Sequence, residues 1–269
     1  MMHLDDLLLA LAKTGQHGLC IPDTWAQGRT VYGGLTAALV LRDMQQKMSR
    51  QNNDHRPVRY LNVSFVGPLK VNVPIHFEST VLRSGRSATQ VMTTVLQAGQ
   101  TCVVAQGCFA IERDSAIHLT DRCGHEMTPP KKANFIPQIP RVVPRFLRHF
   151  EINLQAGRLP FMRGTKSHLH GWMRFKKPPA VLHEEHVIAA IDAWPSTVLQ
   201  QLKKPAAAST MNWNLAFTQT AQLPTQNDWM AYQATTAHAA SGYVIGDAHI
   251  WNSQGQLMAL SRQTVGVFG

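Results

Sequence analysis

The chain states one structural unit twice, and that duplication restricts its fold more than any other feature. Each half gives a long apolar helix followed by a run of strands. In the first half, a strand ending at Phe65 leads to the turn Gln97-Ala98-Gly99-Gln100, then to an apolar strand with Val103, Ala105 and Phe109. In the second half, a strand ending at Phe217 leads to Asn252-Ser253-Gln254-Gly255-Gln256, then to an apolar strand with Leu257, Ala259, Val265 and Val267. Phe217 follows Phe65 by 152 positions and Gly255 follows Gly99 by 156, a nearly constant offset over four strands. Two such halves leave a cleft between them, where sites commonly form.

The periodicities place the elements. Asp5 and Asp6 before Leu7-Leu8-Leu9 open a short amphipathic helix and do not form the basic start of a signal peptide. Gly33-Gly34 leads into the first long helix, residues 34–51, where Ala37, Val40, Leu41, Met44 and Met48 recur at helical spacing. Strands follow near 58–66, 74–83, 87–97 and 100–112; in the first, Leu61, Val63 and Phe65 alternate with Asn62 and Ser64. Prolines 129, 130, 137, 140 and 144 then interrupt regular structure. Residues 146–180 carry Arg, Gly and Pro, with a strand near 168–175. The second helix begins at His183 or Glu184, turns Val187, Ile191 and Trp194 to one face, and kinks or ends at Pro195. Strands near 208–218, 228–238, 242–252 and 256–267 complete the second half. The division is an N-terminal unit over 1–115, a surface linker over 116–145 and a C-terminal unit over 146–269. Helix then antiparallel strands, given twice, is α+β architecture, with the two sheets able to join edge to edge and so cover exposed edges.

Composition excludes several classes. No run approaches the roughly 18 apolar residues of a membrane span. Cys20, Cys102, Cys108 and Cys123 lack metal-ligand spacing, and reduced thiols in a cytoplasmic protein are expected. The net charge of +10 lies in one block: residues 131–177 hold eleven Lys and Arg against Glu151, and the rest balances at 15 basic and 15 acidic residues. Such a block is either a solvated linker with its flanks or a surface for anionic groups. No nucleic-acid motif accompanies it, so no nucleic-acid partner is expected.

There is no phosphate loop, dinucleotide fingerprint or nucleophile elbow. His183 and His186 are three apart rather than four, and His168 and His170 share a strand face; neither pair is expected to hold a metal, and no cofactor is implied. What remains is polar chemistry in apolar surroundings. Asp192 sits between Ile191 and Ala193, Thr210 opens an apolar strand, and Gln263 interrupts the final one. A carboxylate can take a proton from water, and hydroxyl and amide groups can hold that water.

Three segments carry a family resemblance: Val31-Tyr32-Gly33-Gly34 entering the first helix, Thr210-Met211-Asn212-Trp213-Asn214-Leu215-Ala216-Phe217, and the C-terminal strand with Gln263. Together they resemble the acyl-CoA thioesterase II family, over roughly residues 20–115 and 180–267. The resemblance implies a double hotdog fold, each half a long helix wrapped by an antiparallel sheet. It implies acyl-CoA as substrate and hydrolysis by Asp192, Thr210 and Gln263. Gly33 and Gly34 would supply oxyanion or substrate contacts, the apolar helices would line an acyl tunnel, and the protein would form a homo-oligomer. The family pattern has an acidic residue two positions after the threonine, where this chain has Asn212. Two other readings stay open: a non-catalytic acyl-binding protein of the same fold, and an enoyl-CoA hydratase-like enzyme.

Overall fold

The computed structural model describes residues 2–14, 18–52, 54–117, 119, 124–135, 143–218 and 222–268. Helix α1 (Leu4–Leu11) is capped by the His3 side chain, which accepts from the Asp5 N–H, and buries Leu4, Leu7, Leu8 and Leu11. Three two-residue strands follow: β1 (Leu19–Cys20), β2 (Ala26–Gln27) and β3 (Thr30–Val31). Helix α2 (Gly33–Asn52) precedes β4 (Val58–Phe65), β5 (Pro74–Ser84), β6 (Ala88–Gln97) and β7 (Gln100–Ala110). The second half contributes β8 (Phe150–Ala156), β9 (His168–Phe175), α3 (Glu184–Ile191), β10 (Ala207–Phe217), β11 (Met230–Ala240), β12 (Tyr243–Trp251) and β13 (Leu257–Phe268). The part of the expected 116–145 linker at 118, 120–123 and 136–142, with Arg141 and Cys123, lies outside the described residues.

Eleven strands form one antiparallel sheet in the order β1-β5-β6-β7-β4-β10-β13-β12-β11-β9-β8. The halves meet edge to edge at β4 and β10, where Trp213 faces Val63, Asn214 faces Asn62 and Leu215 faces Leu61. Asn62 and Asn214 are themselves 152 positions apart, the offset that separates Phe65 from Phe217. The junction is therefore centred on a pair of equivalent residues, as an antiparallel seam between two copies of one unit must be. The inner face carries Leu61, Val63, Trp213 and Leu215, all buried. Both helices lie against it, with α2 and α3 packed together.

The second helix corrects the expectation of a long one. Helix α3 has 8 residues, with Glu185 through Ile191 all buried. Its shortness follows from Pro195, which disfavours helical backbone at Trp194 and lacks the N–H needed to continue. Asp192 is left as the C-cap, at φ −77° and ψ −2°. Strand β8 was not anticipated, although Phe150, Ile152 and Leu154 alternate with Glu151, Asn153 and Gln155. His183 and His186 are structural: His186 Nδ1 accepts from the His183 N–H, and its Nε2 bonds Asp5 at 2.7 Å, docking α1 onto α3.

Candidate active site

The end of α3 meets the beginning of α2. The last four carbonyls of a helix lack intrahelical partners, and one of them, on Ala189, accepts from the Tyr32 hydroxyl at 2.6 Å. Tyr32 immediately precedes Gly33, so this buried bond ties the start of α2 to the last turn of α3. It brings Gly33 and Gly34 against Asp192. The Gly34 N–H donates to the Asp192 carboxylate, which satisfies one of the orphan donors of the α2 N-terminus. A Cβ on Gly33 would lie 3.0 Å from Asp192 Oδ2 and 3.4 Å from the Phe65 ring. The glycines thus permit close approach, and the Gly34 N–H is turned to the carboxylate itself.

Gln263 reaches the same carboxylate from β13. Its Nε2 donates to Asp192 Oδ1 at 2.8 Å. Thr210 Oγ1 lies 3.5 Å from Gln263 Oε1, the outer limit of a hydrogen bond. Asp192, Gln263 and Thr210 therefore form one chain of contacts drawn from α3, β13 and β10.

Thr210 reaches that chain because of a bulge. Side chains alternate along a strand, so three residues separate faces, and Thr210 would point away from the side taken by Trp213. The pairing of β10 with β13 shifts between Thr210 and Asn212: Trp213 pairs with Gln263, yet Thr210 pairs with Val265. One extra residue, at exposed Met211, returns Thr210 to the inner face beside Gln263 and buried Val265. Trp213 fixes the register by donating from Nε1 to Ser261 Oγ at 2.8 Å. Asn212 faces outward instead, donating to Asn62 Oδ1 at 3.0 Å and Ser64 Oγ at 3.2 Å. The position where the related pattern carries an acidic residue thus braces the seam between halves and does not touch the Asp192 chain.

Electrostatics set Asp192 apart from an ordinary carboxylate. Burial pushes its pKa from 3.8 to about 7, against the lowering effect of the Gln263 amide and the Gly34 N–H. Asp192 as a whole residue keeps intermediate solvent exposure, while its carboxyl group is enclosed. Nearby Tyr32 and Tyr232 are held well above the usual phenol range, first by burial and then by the Asp192 charge. Sequence reasoning gave Tyr32 no role beyond its place in the Val31–Gly34 segment, and it missed Tyr232 and the Trp194–Tyr232 stack, whose rings lie 4.9 Å apart at 3°.

Beside Gln263, a cavity of about 30 Å³ is lined by Ile191, Trp194, Thr197, Tyr232, Gln263 and Val265. That volume admits a water molecule or two. Trp194 and Tyr232, which stack on each other, form part of the wall of this cavity. Among the described residues, no group of three or more His, Cys, Asp or Glu could hold a metal ion, and no helix is long and apolar enough to cross a membrane.

Residues 21–110 match the acyl-CoA thioesterase N-terminal domain, and residues 123–267 match the acyl-CoA thioesterase C-terminal domain. The chain belongs to the acyl-CoA thioesterase family. No curated protein matches its sequence. Among solved structures, it resembles a conserved protein of unknown function with a hot dog fold from Alicyclobacillus acidocaldarius (TM-score 0.79, 22% identity, 93% of this chain and 92% of that one). It also resembles an acyl-CoA thioesterase II, TesB2, from Mycobacterium marinum (TM-score 0.67, 16% identity, 88% and 90% covered), and a TesB protein from Mycobacterium avium subspecies paratuberculosis (TM-score 0.67, 18% identity, 91% and 90% covered). At these identities the likeness establishes a hotdog fold shared by this member of the thioesterase family.

Proposed function

We propose that this protein is a double hotdog acyl-CoA thioesterase that cleaves its substrate by direct attack of water. The units are assigned to residues 1–115 and 146–269, joined by 116–145. The observation that carries the reading is the Asp192–Gln263–Thr210 chain at the start of α2, built around an enclosed carboxylate with a pKa of about 7. A base poised near neutrality combines a large ionised fraction with real proton affinity.

In this mechanism Asp192 removes a proton from a water held by the Gln263 amide and the Thr210 hydroxyl. The water oxygen bonds to the thioester carbonyl carbon, and the oxyanion develops against the N-terminal turn of α2, where the Gly33 N–H and the helix dipole favour negative charge. Collapse breaks the carbon–sulfur bond. The CoA thiolate takes the proton from Asp192, giving CoA and the free fatty acid. No protein nucleophile is required, in keeping with the absence of a nucleophile elbow from the sequence.

Asn212 does not favour the non-catalytic alternative, since it lies on the other face of β10. The direct test is incubation with acyl-CoAs of several chain lengths and detection of the released thiol. Turnover above the spontaneous rate supports the reading, and none at any length overturns it.

A further inference from the structure

The seam centred on Asn62 and Asn214 relates the two halves, so the site at the start of α2 must have a twin at the start of α3. Sequence offsets identify its members. Gly34 corresponds to Glu185 and Asp192 to Leu41 at 151 positions, Thr210 to Val58 at 152 and Gln263 to Gly107 at 156. Leucine, valine and glycine therefore stand where the first site has its carboxylate, hydroxyl and amide. Val58 is fully buried, and Gly107 is closed over by Met44, whose sulfur lies 2.8 Å from where a Cβ would sit. The twin has no group to activate water.

It does have space. A groove of about 550 Å³ runs between the second half of α2 and the first turn of α3, lined by Arg42, Gln45, Ser49, Arg50, His183 and Glu185 among others. Volumes of this size hold drug-sized ligands. The lining also has unmet hydrogen-bonding capacity. Glu185 is 1% exposed. Its Oε1 meets Arg42 Nη1 at 3.5 Å, and its Oε2 has no partner. Gln45 Oε1 and Arg42 Nε are buried and unpartnered as well. Leaving such groups unsatisfied is unfavourable, so a ligand that meets them gains accordingly.

We infer that this groove is a second, non-hydrolytic site for the pantetheine arm of a CoA molecule. The inference rests on the acyl-CoA reading of the first site. The match is chemical. Pantetheine is a neutral chain with two amides, whose N–H groups complement Gln45 Oε1 and Glu185 Oε2 and whose carbonyls complement Arg42 Nε. The lining pairs three arginines (42, 50, 56) with three carboxylates (54, 184, 185), which suits an uncharged chain better than a compact ion. Glu184 and Glu185 keep phosphate from the α3 N-terminus, while Arg50 is exposed at the rim for the nucleotide phosphates.

Calorimetric titration with CoA tests this. The wild-type protein should bind two equivalents. The Gln45→Leu/Glu185→Gln double variant should lose one of them, or weaken it on the order of tenfold or more, with acyl-CoA hydrolysis unchanged. Gln45→Leu alone, at a half-buried helix position, is the safeguard against misfolding and should weaken the same equivalent. Hydrolysis with a single CoA equivalent in the wild type overturns the second site and leaves the thioesterase reading standing. Two equivalents that persist unaltered in both variants place the second molecule elsewhere and also overturn the inference. Absence of both hydrolysis and CoA binding overturns both readings.

Discussion

Replacing Asp192 with Asn should stabilise the protein while disabling it, and the stabilisation should depend on pH. Asp192 has a folded-state pKa of about 7 and an ordinary value of 3.8. The folded protein therefore holds a proton more tightly than the unfolded chain, and stability falls as pH rises from about 4 to about 7. Above that window the ionised carboxylate is strained by burial in the folded state alone. The rise from 3.8 to about 7, at about 1.4 kcal/mol for each tenfold change in proton affinity, sets a ceiling near 4 kcal/mol. The effective dielectric of a protein interior, above that of a dry medium, lowers the expectation to about 1–3 kcal/mol. Asparagine removes the charge and keeps the shape, so the variant should gain that amount at about pH 9 and almost nothing near pH 4. With about 2–4 °C per kcal/mol for chains approaching this size, Tm should rise by about 2–12 °C at the alkaline end. The assay is thermal unfolding of both proteins across that range. An equal Tm shift at every pH, or a variant less stable than wild type at about pH 9, would refute the argument that burial sets this carboxylate's pKa.

Gln263→Leu removes the Nε2 donor from Asp192, so the acid limb of the pH–rate profile should move to higher pH; a fixed limb would separate Gln263 from the base. Thr210→Val and Gln263→Leu should each lower kcat more than they raise KM, since both hold water and not substrate, and an effect on KM alone would reassign them to the pocket. Gly33→Ala places a Cβ 3.0 Å from Asp192 Oδ2; turnover should fall by about tenfold or more with the fold retained by circular dichroism, and full activity would show that this approach is unimportant. If the 131–177 block receives the nucleotide phosphates, acyl-CoA affinity should weaken with salt more than acyl-pantetheine affinity does, because screening reaches about 10 Å at 0.1 M. Equal salt dependence would make the block a solvated surface. Two of its cations are already committed, Arg174 to Glu151 and Arg145 to Asp23.

The sheet was legible where alternation was strong. Leu61-Val63 and Trp213-Leu215 gave β4 and β10 their faces, and the repeat anticipated that the halves could join along an edge. Strand β8 shows the same period but is short and flanked by proline and glycine segments, which hid it. The length of α3 was misjudged because apolar residues continue through Ala193 and Trp194 after the helix has ended at its Asp192 cap. Asp192, Thr210 and Gln263 were singled out as polar residues in apolar stretches, but their meeting could not be read from spacing. Strict alternation puts Thr210 on the wrong face, and only the bulge at Met211 corrects it. The contribution of Tyr32 depends on a hydroxyl reaching Ala189 across 157 positions, a contact without a local signature.

The most direct test of the central claim compares thiol release from acyl-CoA by the wild-type protein and by Asp192→Asn at about pH 8, where Asp192 is largely ionised. General-base catalysis contributes about 10²–10⁴-fold. The account predicts a kcat lower by that factor in a variant that remains folded. Unchanged turnover in the variant would contradict it.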